Sequence, residues 1–586
     1  MIFSSTVRRK IPYAITNFRD IRLENMYYVD KTHYIEKLEA ANNYFFFIRP
    51  RRFGKTLLLQ MLKYYYDINY RDEFEQLFGG LYIGSHPTPN HNKYLIIALN
   101  FSTIDARDGD YRYGLDADCD IDFCAFCDRY ATLLPKDFKD AMLQKDGAVE
   151  QLKFIYTECA KYNLPIYLFI DEYDHFTNDI LSSPNQLTKY ESETHGEGYL
   201  RKFFNALKSG SEASLKRIFI TGVSPVTMDD LTSGFNIGTN YTADPEFNGM
   251  VGFSEEEVRE MLDYYLTFSD YPDTTEQLIQ MMKPWYDSYC FAKKCIGQPT
   301  MFNSDMVLYF IDNYTRHKCP PDEMLDANMR SDYNKLRMLM RHDHGFGETS
   351  STVQRIVENG EIEADVVSHF PARHIILPEN FVSLMYYLGM LTYGRLGDIG
   401  QPILTIPNQC VREQTFGYMM SIYNEEGLSV GERKKNELMI DMAFRGNWRP
   451  YFDFIAEALA RYSSQRDKVL GEAYVHGFTM GQTCLSRYYL PLSEEDQGIR
   501  GGYSDIFFMP RKELYQYLKY AYIIEFKYLP GKASDADVQE KICEAIEQAN
   551  RYAASEKVQS SLQGCELIKL YVVYRGMEMA AISNIK

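Results

Sequence analysis

A short apolar run that breaks into a basic, glycine-containing turn and then into a helical pattern constrains this chain more than any other feature. Residues 44–48 read Tyr-Phe-Phe-Phe-Ile, a continuous apolar stretch suited to a strand buried on both faces. RPRRFGKT follows at 49–56, and LLLQMLKYYYD beyond it has helical character. Strand, tight loop and helix in that order is the context needed to cradle phosphate. Gly54 lets backbone N–H groups approach the anion with no Cβ in the way. Lys55 sets a positive charge against β- and γ-phosphates, Thr56 offers a hydroxyl to magnesium, and the helix starting there directs its dipole at the anion. One position departs from G-x-x-x-x-G-K-[ST]: Arg49 stands where the first glycine would. Taken alone, GKT after a strand also fits a basic turn before a helix.

A second segment completes the pattern. IYLFIDEYD at 166–174 predicts another buried strand, ending in Asp171-Glu172. Asp171 would hold magnesium, directly or through water, and Glu172 would polarise the attacking water as general base. LIIALNF (95–101) and RIFITGVSP (217–225) fit further strands of one parallel sheet. The latter ends in Thr221 and Ser224, where a polar residue can sense the γ-phosphate. Thr221 is the first candidate and Ser224 the second, with a plain strand-ending turn an equal alternative for each.

At this point FRDIRLENMYYVDKTHYIEKLE, FFFIRPRRFGKTLLLQML, LFIDEYD and FITGVSP, in that order, resemble the bacterial and archaeal AAA-ATPase-like family over about residues 8–235. That family shows RPRRFGKS or RPRRFGKT at its phosphate loop and usually lacks the first glycine, which accounts for Arg49. The resemblance implies ATP and Mg2+ as cofactors, with Arg52, Phe53, Gly54, Lys55, Thr56, Leu57, Asp171 and Thr221 around the nucleotide. It also implies a place beside the nucleotide for the segment Tyr28-Val29-Asp30-Lys31-Thr32. Arg51 and Arg52 are phosphate contacts at most. No arginine finger can be named, so the oligomeric state is open, an oligomer included.

The chain continues well beyond this region. Its 586 residues suggest three to five domains. FSEEEVREMLDYYL opens a helical stretch with Ser254 and Glu257 as a capping box. WYDSYCF and FNSDMVLYFI resemble the family's helical lid, for which plain structural helices are the simpler reading. Within 330–410 the order helix, two short strands, helix predicts a small winged-helix-like module, favoured here as a connector because nothing basic gathers there.

The last part carries a second constellation. GGYSDIFFMP (501–510) puts Asp505 at the start of a strand, and AYIIEFKYLP (521–530) carries Glu525 and Lys527. Side chains two apart on a strand share a face, and a hairpin would bring Asp505 beside them. Two carboxylates and a lysine there can make a metal-dependent hydrolytic site, with Asp505 and Glu525 ligating magnesium and Lys527 orienting water. Glu472, on a helix before the hairpin, is a further acid. The spacing alone is loose, and solvated strands produce it often. EAYVHGF, PLSEEDQGIRGGYSDIFF, YIIEFKYL and EAIEQANRY together resemble the PD-(D/E)XK nuclease-like domain at the C-terminus of the same family, over about residues 450–586. The resemblance implies Asp505, Glu525 and Lys527 as the catalytic trio, Glu472 as a supporting acid and Gln548 as a motif residue on a helix. The glycine-arginine usual before the aspartate is absent, with Arg500 displaced upstream, which bears on phosphate contacts more than on metal binding.

Composition sets limits on these readings. The formal net charge of −18 argues against a basic coat for constitutive nucleic-acid binding, though not against a local groove. Eleven scattered cysteines, an N-terminus without a signal-like apolar core and no bilayer-length apolar run give a cytoplasmic, reduced chain with no membrane partner. Cys119, Cys124 and Cys127 lack a convincing second ligand pair for zinc, and His342-Asp343-His344 reads as a solvated turn.

The expected architecture is α/β: a P-loop NTPase domain at 1–235, a helical lid at 236–330, a winged-helix-like connector with helices at 331–449, and a PD-(D/E)XK mixed-sheet domain at 450–586. The expected activity is ATP hydrolysis coupled to nucleic-acid cleavage, with DNA favoured. The alternative is an ATP-governed switch whose nuclease-like domain binds nucleic acid or a partner without cutting.

Overall fold

The computed structural model describes residues 8–104, 111–175, 198–226, 237–326, 352, 356, 360–375, 377–425, 427–466, 472–493 and 505–586. The chain divides into two compact units, one formed by 1–349 with 363–408 and the other by 350–362 with 409–586.

The first unit is built on five strands, β1 (Tyr44–Ile48), β2 (Leu95–Asn100), β3 (Ile166–Asp171), β4 (Leu215–Gly222) and β5 (Thr239–Asn240). Their order across the sheet is β2-β3-β4-β1-β5, and every pairing is parallel. The apolar runs read from the sequence supply β1 to β4, and β3 is buried along its whole length. Parallel strands need crossovers, here the helices Tyr111–Arg129, Gly147–Lys161 and Tyr199–Gly210 among others. All strand C-termini therefore open on one edge, where ligands of open α/β sheets bind. The helix Lys55–Tyr66 starts at that edge, and β3 delivers Asp171 to it. Strand β4 lies between β1 and β3, so the phosphate loop and the acidic turn face each other across one intervening strand.

Beyond the sheet, Glu255–Leu266 carries the expected box: Ser254 accepts from Glu257 N and Glu257 returns to the Ser254 N–H. Thr274 and Gln277 form a second box at Thr275–Tyr286, and Ser304–His317 follows behind an Asn303 cap. The helix Pro378–Tyr387 leads into an antiparallel pair, β6 (Thr392–Leu396) and β7 (Pro402–Thr405), and Gln409–Glu425 is the next helix. The division between units falls between β7 and that helix.

The second unit holds a mixed sheet of β8 (Tyr489–Ser493), β9 (Asp505–Pro510), β10 (Tyr520–Leu529), β11 (Glu566–Arg575) and β12 (Glu578–Ile585), ordered β12-β11-β10-β9-β8. Strand β10 pairs antiparallel with β9 and parallel with β11. The parallel step is bridged by the helix Asp535–Ala553, which is capped by Ser534 and Asp537 and buries Val538, Ile542, Ala545 and Ala549. Among the described residues no helix is long and apolar enough to cross a membrane.

Candidate functional site

The phosphate loop is shaped by two left-handed residues, Arg52 (φ 68°) and Gly54 (φ 92°). A Cβ at Gly54 would meet only Ser304 Oγ, at 3.7 Å, so glycine is required by backbone conformation rather than by space. Lys55 begins the helix and is buried, with Nζ donating to the carbonyls of Arg49 and Pro50, each at 2.9 Å. Burial lowers its pKa, against the pull of Asp171, Glu172 and Asp174. Thr56 Oγ1 donates to Asp171 Oδ2 at 3.0 Å, while Asp171 Oδ1 accepts the Glu172 N–H at 3.0 Å. Desolvation raises the Asp171 pKa, and the neighbouring Lys55 charge and the Thr56 hydroxyl oppose that rise.

Arg49 takes no part in the cleft, despite occupying the position of a phosphate-loop glycine. It is buried between the rings of Phe47 and Phe291, whose centroids lie 4.3 and 4.4 Å from its guanidinium carbon. The guanidinium donates to the carbonyls of Ile48 (3.0 Å), Thr242 and Phe247 (3.1 Å). Burial lowers its pKa to about 10. Arg49 thus anchors the loop from beneath. Replacing it with alanine leaves those carbonyls without their donor, and a loss of about 3–5 kcal/mol is expected in the urea unfolding of the first unit. Lysine, a point charge without the planar fork, is expected to recover less than half of that loss. A cost below ~1 kcal/mol for Arg49→Ala would rule the anchoring role out.

The loop is also buttressed from the helical region. Gly252 N donates to Phe53 O at 2.9 Å, and the Phe53 ring packs edge-on against Tyr289 and Phe291. Ser304 Oγ and Asp305 N both donate to Arg52 O at 3.2 Å, and Arg52 Nη1 lies 3.5 Å from Asp305 Oδ2. These partners escaped the sequence reading, although the helix-capping pattern of FNSDM at 302–306 was visible.

A cleft of about 530 Å3 opens above the loop. One end is polar, lined by Arg51, Arg52, Gly54, Lys55, Thr56, Asp171 and Glu172, and Phe53 and Leu57 lie along it too. The other end is apolar, with Ile15, Ile21, Tyr27, Val251, Met261 and Leu308. Tyr28, Val29 and Lys31 also line the cleft. Asp30 instead braces its own turn, accepting from Thr32 N (2.9 Å), Thr32 Oγ1 (2.6 Å) and Tyr82 N (2.6 Å). Thr221 and Ser224 are buried away from the lining: Thr221 Oγ1 donates to Phe47 O at 2.6 Å, and Ser224 N donates to Asp174 at 2.6 Å. In these positions they tie β4 to β1 and to the acidic turn.

In the second unit, the β9–β10 register sets Asp505 directly opposite Glu525. Glu525 is fully buried, and Lys527 Nζ lies 3.1 Å from its Oε2, so the two share a sheet face. Gln548 sits on the crossover helix, and Tyr552, one turn on, is buried. Glu472 opens the helix Glu472–Cys484. The side chains of Glu472 and Asp505, and Arg500 and His342 to His344, lie outside the described residues. Cys119 and Cys127 are buried on the helix Tyr111–Arg129, with Cys127 Sγ 3.6 Å from Met142 Sδ. Among the described residues no three His, Cys, Asp or Glu side chains gather as a metal cluster.

A parallel sheet with a phosphate loop and a facing acidic turn defines a P-loop nucleotide-binding fold. Residues 12–232 match the model of a predicted AAA-ATPase, and residues 470–583 match that of the PD-(D/E)XK nuclease superfamily. The chain therefore joins an AAA-ATPase-like region to a PD-(D/E)XK nuclease-like one, the pairing its sequence resembles. It is 24% identical over 304 residues to an uncharacterized protein from the vnfD 5' region of Azotobacter chroococcum mcd 1, covering 52% of each chain. The chain thus spans about half the length of that curated relative. Among solved structures, it is similar to Cdc6p from Pyrobaculum aerophilum (12% identity, 65% of this chain and 88% of that one, TM-score 0.26). It is also similar to the ORC2 protein of Aeropyrum pernix (10% identity, 67% and 93%, TM-score 0.27).

Proposed function

We propose that the chain is a cytoplasmic ATPase whose nucleotide cycle governs a metal-dependent nucleic-acid phosphodiesterase site, with DNA the favoured substrate. The observation that carries the first half is the Thr56–Asp171 contact at 3.0 Å, set beside a buried Lys55 and a left-handed Gly54 at the polar end of a cleft. Hydroxyl and carboxylate are the hard oxygen donors that Mg2+ takes together with substrate phosphates, so this pair fits the ion. When bound, Mg2+ neutralises charge on the β- and γ-phosphates. Lys55 and the helix N-terminus hold the anion, Glu172 takes a proton from water, and the apolar end of the cleft accepts the base.

The second half rests on Glu525, buried beside Lys527 with Asp505 opposite it. A buried carboxylate facing a second carboxylate position fits a divalent cation, which when bound stabilises charge on the phosphodiester. Lys527 then orients the water.

The test uses the purified full chain with Mg2+ or Mn2+ and labelled single- and double-stranded DNA, then RNA, with and without ATP. Cleavage that depends on the metal and responds to ATP supports the proposal. Nucleotide binding with no cleavage of DNA or RNA favours the switch reading, toward which the net charge of −18 already leans.

A further inference from the structure

At the polar end of the cleft the cations are not equivalent. Lys55 is held by two carbonyls of its own loop, and the Arg52 guanidinium lies against Asp305. Arg51 instead reaches across the cleft to the acidic turn, with Nη2 3.9 Å from Glu172 Oε2. Both side chains remain about one-third exposed, at 31% and 33%, and both line the cleft.

The main chain on either side of Arg51 and at Glu172 is hydrogen-bonded. Pro50 O, just before Arg51, accepts from Lys55 Nζ, and Arg52 O, just after, accepts from Ser304 Oγ and Asp305 N. Glu172 sits in the left-handed region at φ 51°, with its N–H on Asp171 Oδ1 and its carbonyl accepting from His175 N at 3.0 Å.

We propose that Arg51 is a positioning residue that exchanges partners when a triphosphate binds. This rests on the assignment of the cleft to ATP and of Glu172 to the water. The guanidinium lies against the carboxylate that must receive the proton. A γ-phosphate carries more charge than a carboxylate and presents three acceptor oxygens, so a planar fork transfers to it. Glu172 is then released to the water. The water oxygen bonds to Pγ, and the bond from Pγ to the β–γ bridging oxygen breaks. That oxygen leaves on ADP with the electron pair, and the water proton goes to Glu172. ADP lacks the γ-phosphate, so Arg51 stays on Glu172 in the diphosphate state.

The test is a double-mutant cycle on the full chain, with dissociation constants for Mg·ADP and for a non-hydrolysable Mg·ATP analogue, and kcat and KM for ATP. Arg51→Ala is expected to weaken the triphosphate analogue ~10-fold or more while changing ADP by less than about 3-fold, and to lower kcat. Glu172→Gln, which removes the competing charge, is expected to tighten the analogue several-fold in the native background and clearly less in Arg51→Ala. Arg51→Lys, with charge but no fork, falls between. Equal weakening of ADP and analogue by Arg51→Ala, or the same Glu172→Gln effect in both backgrounds, overturns the exchange while leaving the ATP assignment intact. A native chain that binds neither nucleotide overturns both.

Discussion

Exchange of Lys55 for alanine is expected to lower affinity for Mg·ATP by about 100-fold or more, a loss of ~2.7 kcal/mol. Two effects combine. The phosphate loses a desolvated cation, and charge-assisted hydrogen bonds are the strong ones in such a setting. The loop also loses the donor that holds the Arg49 and Pro50 carbonyls. The second effect makes Lys55→Ala partly a loop mutation, so Lys55→Met, which keeps the aliphatic stem, separates them. Thermal unfolding gives the readout. A ligand at 100 times its dissociation constant adds ~2.7 kcal/mol of stability, and both variants are expected to lose that nucleotide-dependent increment. The pH dependence follows from burial, which lowers the Lys55 pKa. The free protein then loses this proton below the ordinary lysine value of about 10.4, and because binding favours the protonated form, ATP affinity falls as pH rises through that lowered value. A native-like nucleotide shift in Lys55→Met would sink the phosphate-loop assignment.

What the sequence disclosed about this site was local, and what it concealed was not. The strand, loop and helix around Gly54 span 23 consecutive residues, from Tyr44 to Tyr66, and the acidic turn follows directly on β3. Both are legible because strand burial and left-handed turns leave a mark on neighbouring residue types. Arg49 illustrates the limit. A basic residue stands at a glycine position of the phosphate loop, and its role depends on Thr242, Phe247 and Phe291, far along the chain and silent in any local window. The buttress from Ser304 and Asp305 and the apolar cleft wall around Ile15 were hidden for the same reason. Thr221 shows the converse, since a polar residue at a strand end reads as a sensor until the neighbouring strand supplies Phe47 O as its acceptor. Of the two capping boxes, Ser254–Glu257 was read, while Thr274–Gln277 carries the same signature before a helix that contains Pro284. In the second unit the shared face of Glu525 and Lys527 is a consequence of period-two geometry alone. The register that sets Asp505 opposite Glu525 depends on the path of the connection through 511–519, which fixes how β9 and β10 align.

Lys527→Met is expected to reduce metal-dependent cleavage by about 100- to 1,000-fold, the scale of losing one preorganised charge at a phosphoryl centre, with nucleotide affinity unchanged. The complication is that Lys527 neutralises Glu525, which is fully buried. Removing one member of such a pair leaves an uncompensated charge and typically costs about 3–5 kcal/mol, so lost activity alone does not separate chemistry from folding. The neutral pair Glu525→Gln/Lys527→Met resolves this. Its members are close in volume to the native side chains and leave no buried charge, so it is expected to recover most of the stability lost by either single variant. Cleavage, by contrast, is expected to stay at the level of the single variants, because both the carboxylate that fits the metal and the ammonium that orients water are gone. Unfolding of the second unit and cleavage under saturating Mg2+ or Mn2+ are measured on the same three proteins. If stability and cleavage recover together in the double variant, the pair is a structural ion pair and the chemistry lies elsewhere. If stability recovers and cleavage does not, Glu525 and Lys527 belong to the site that cuts.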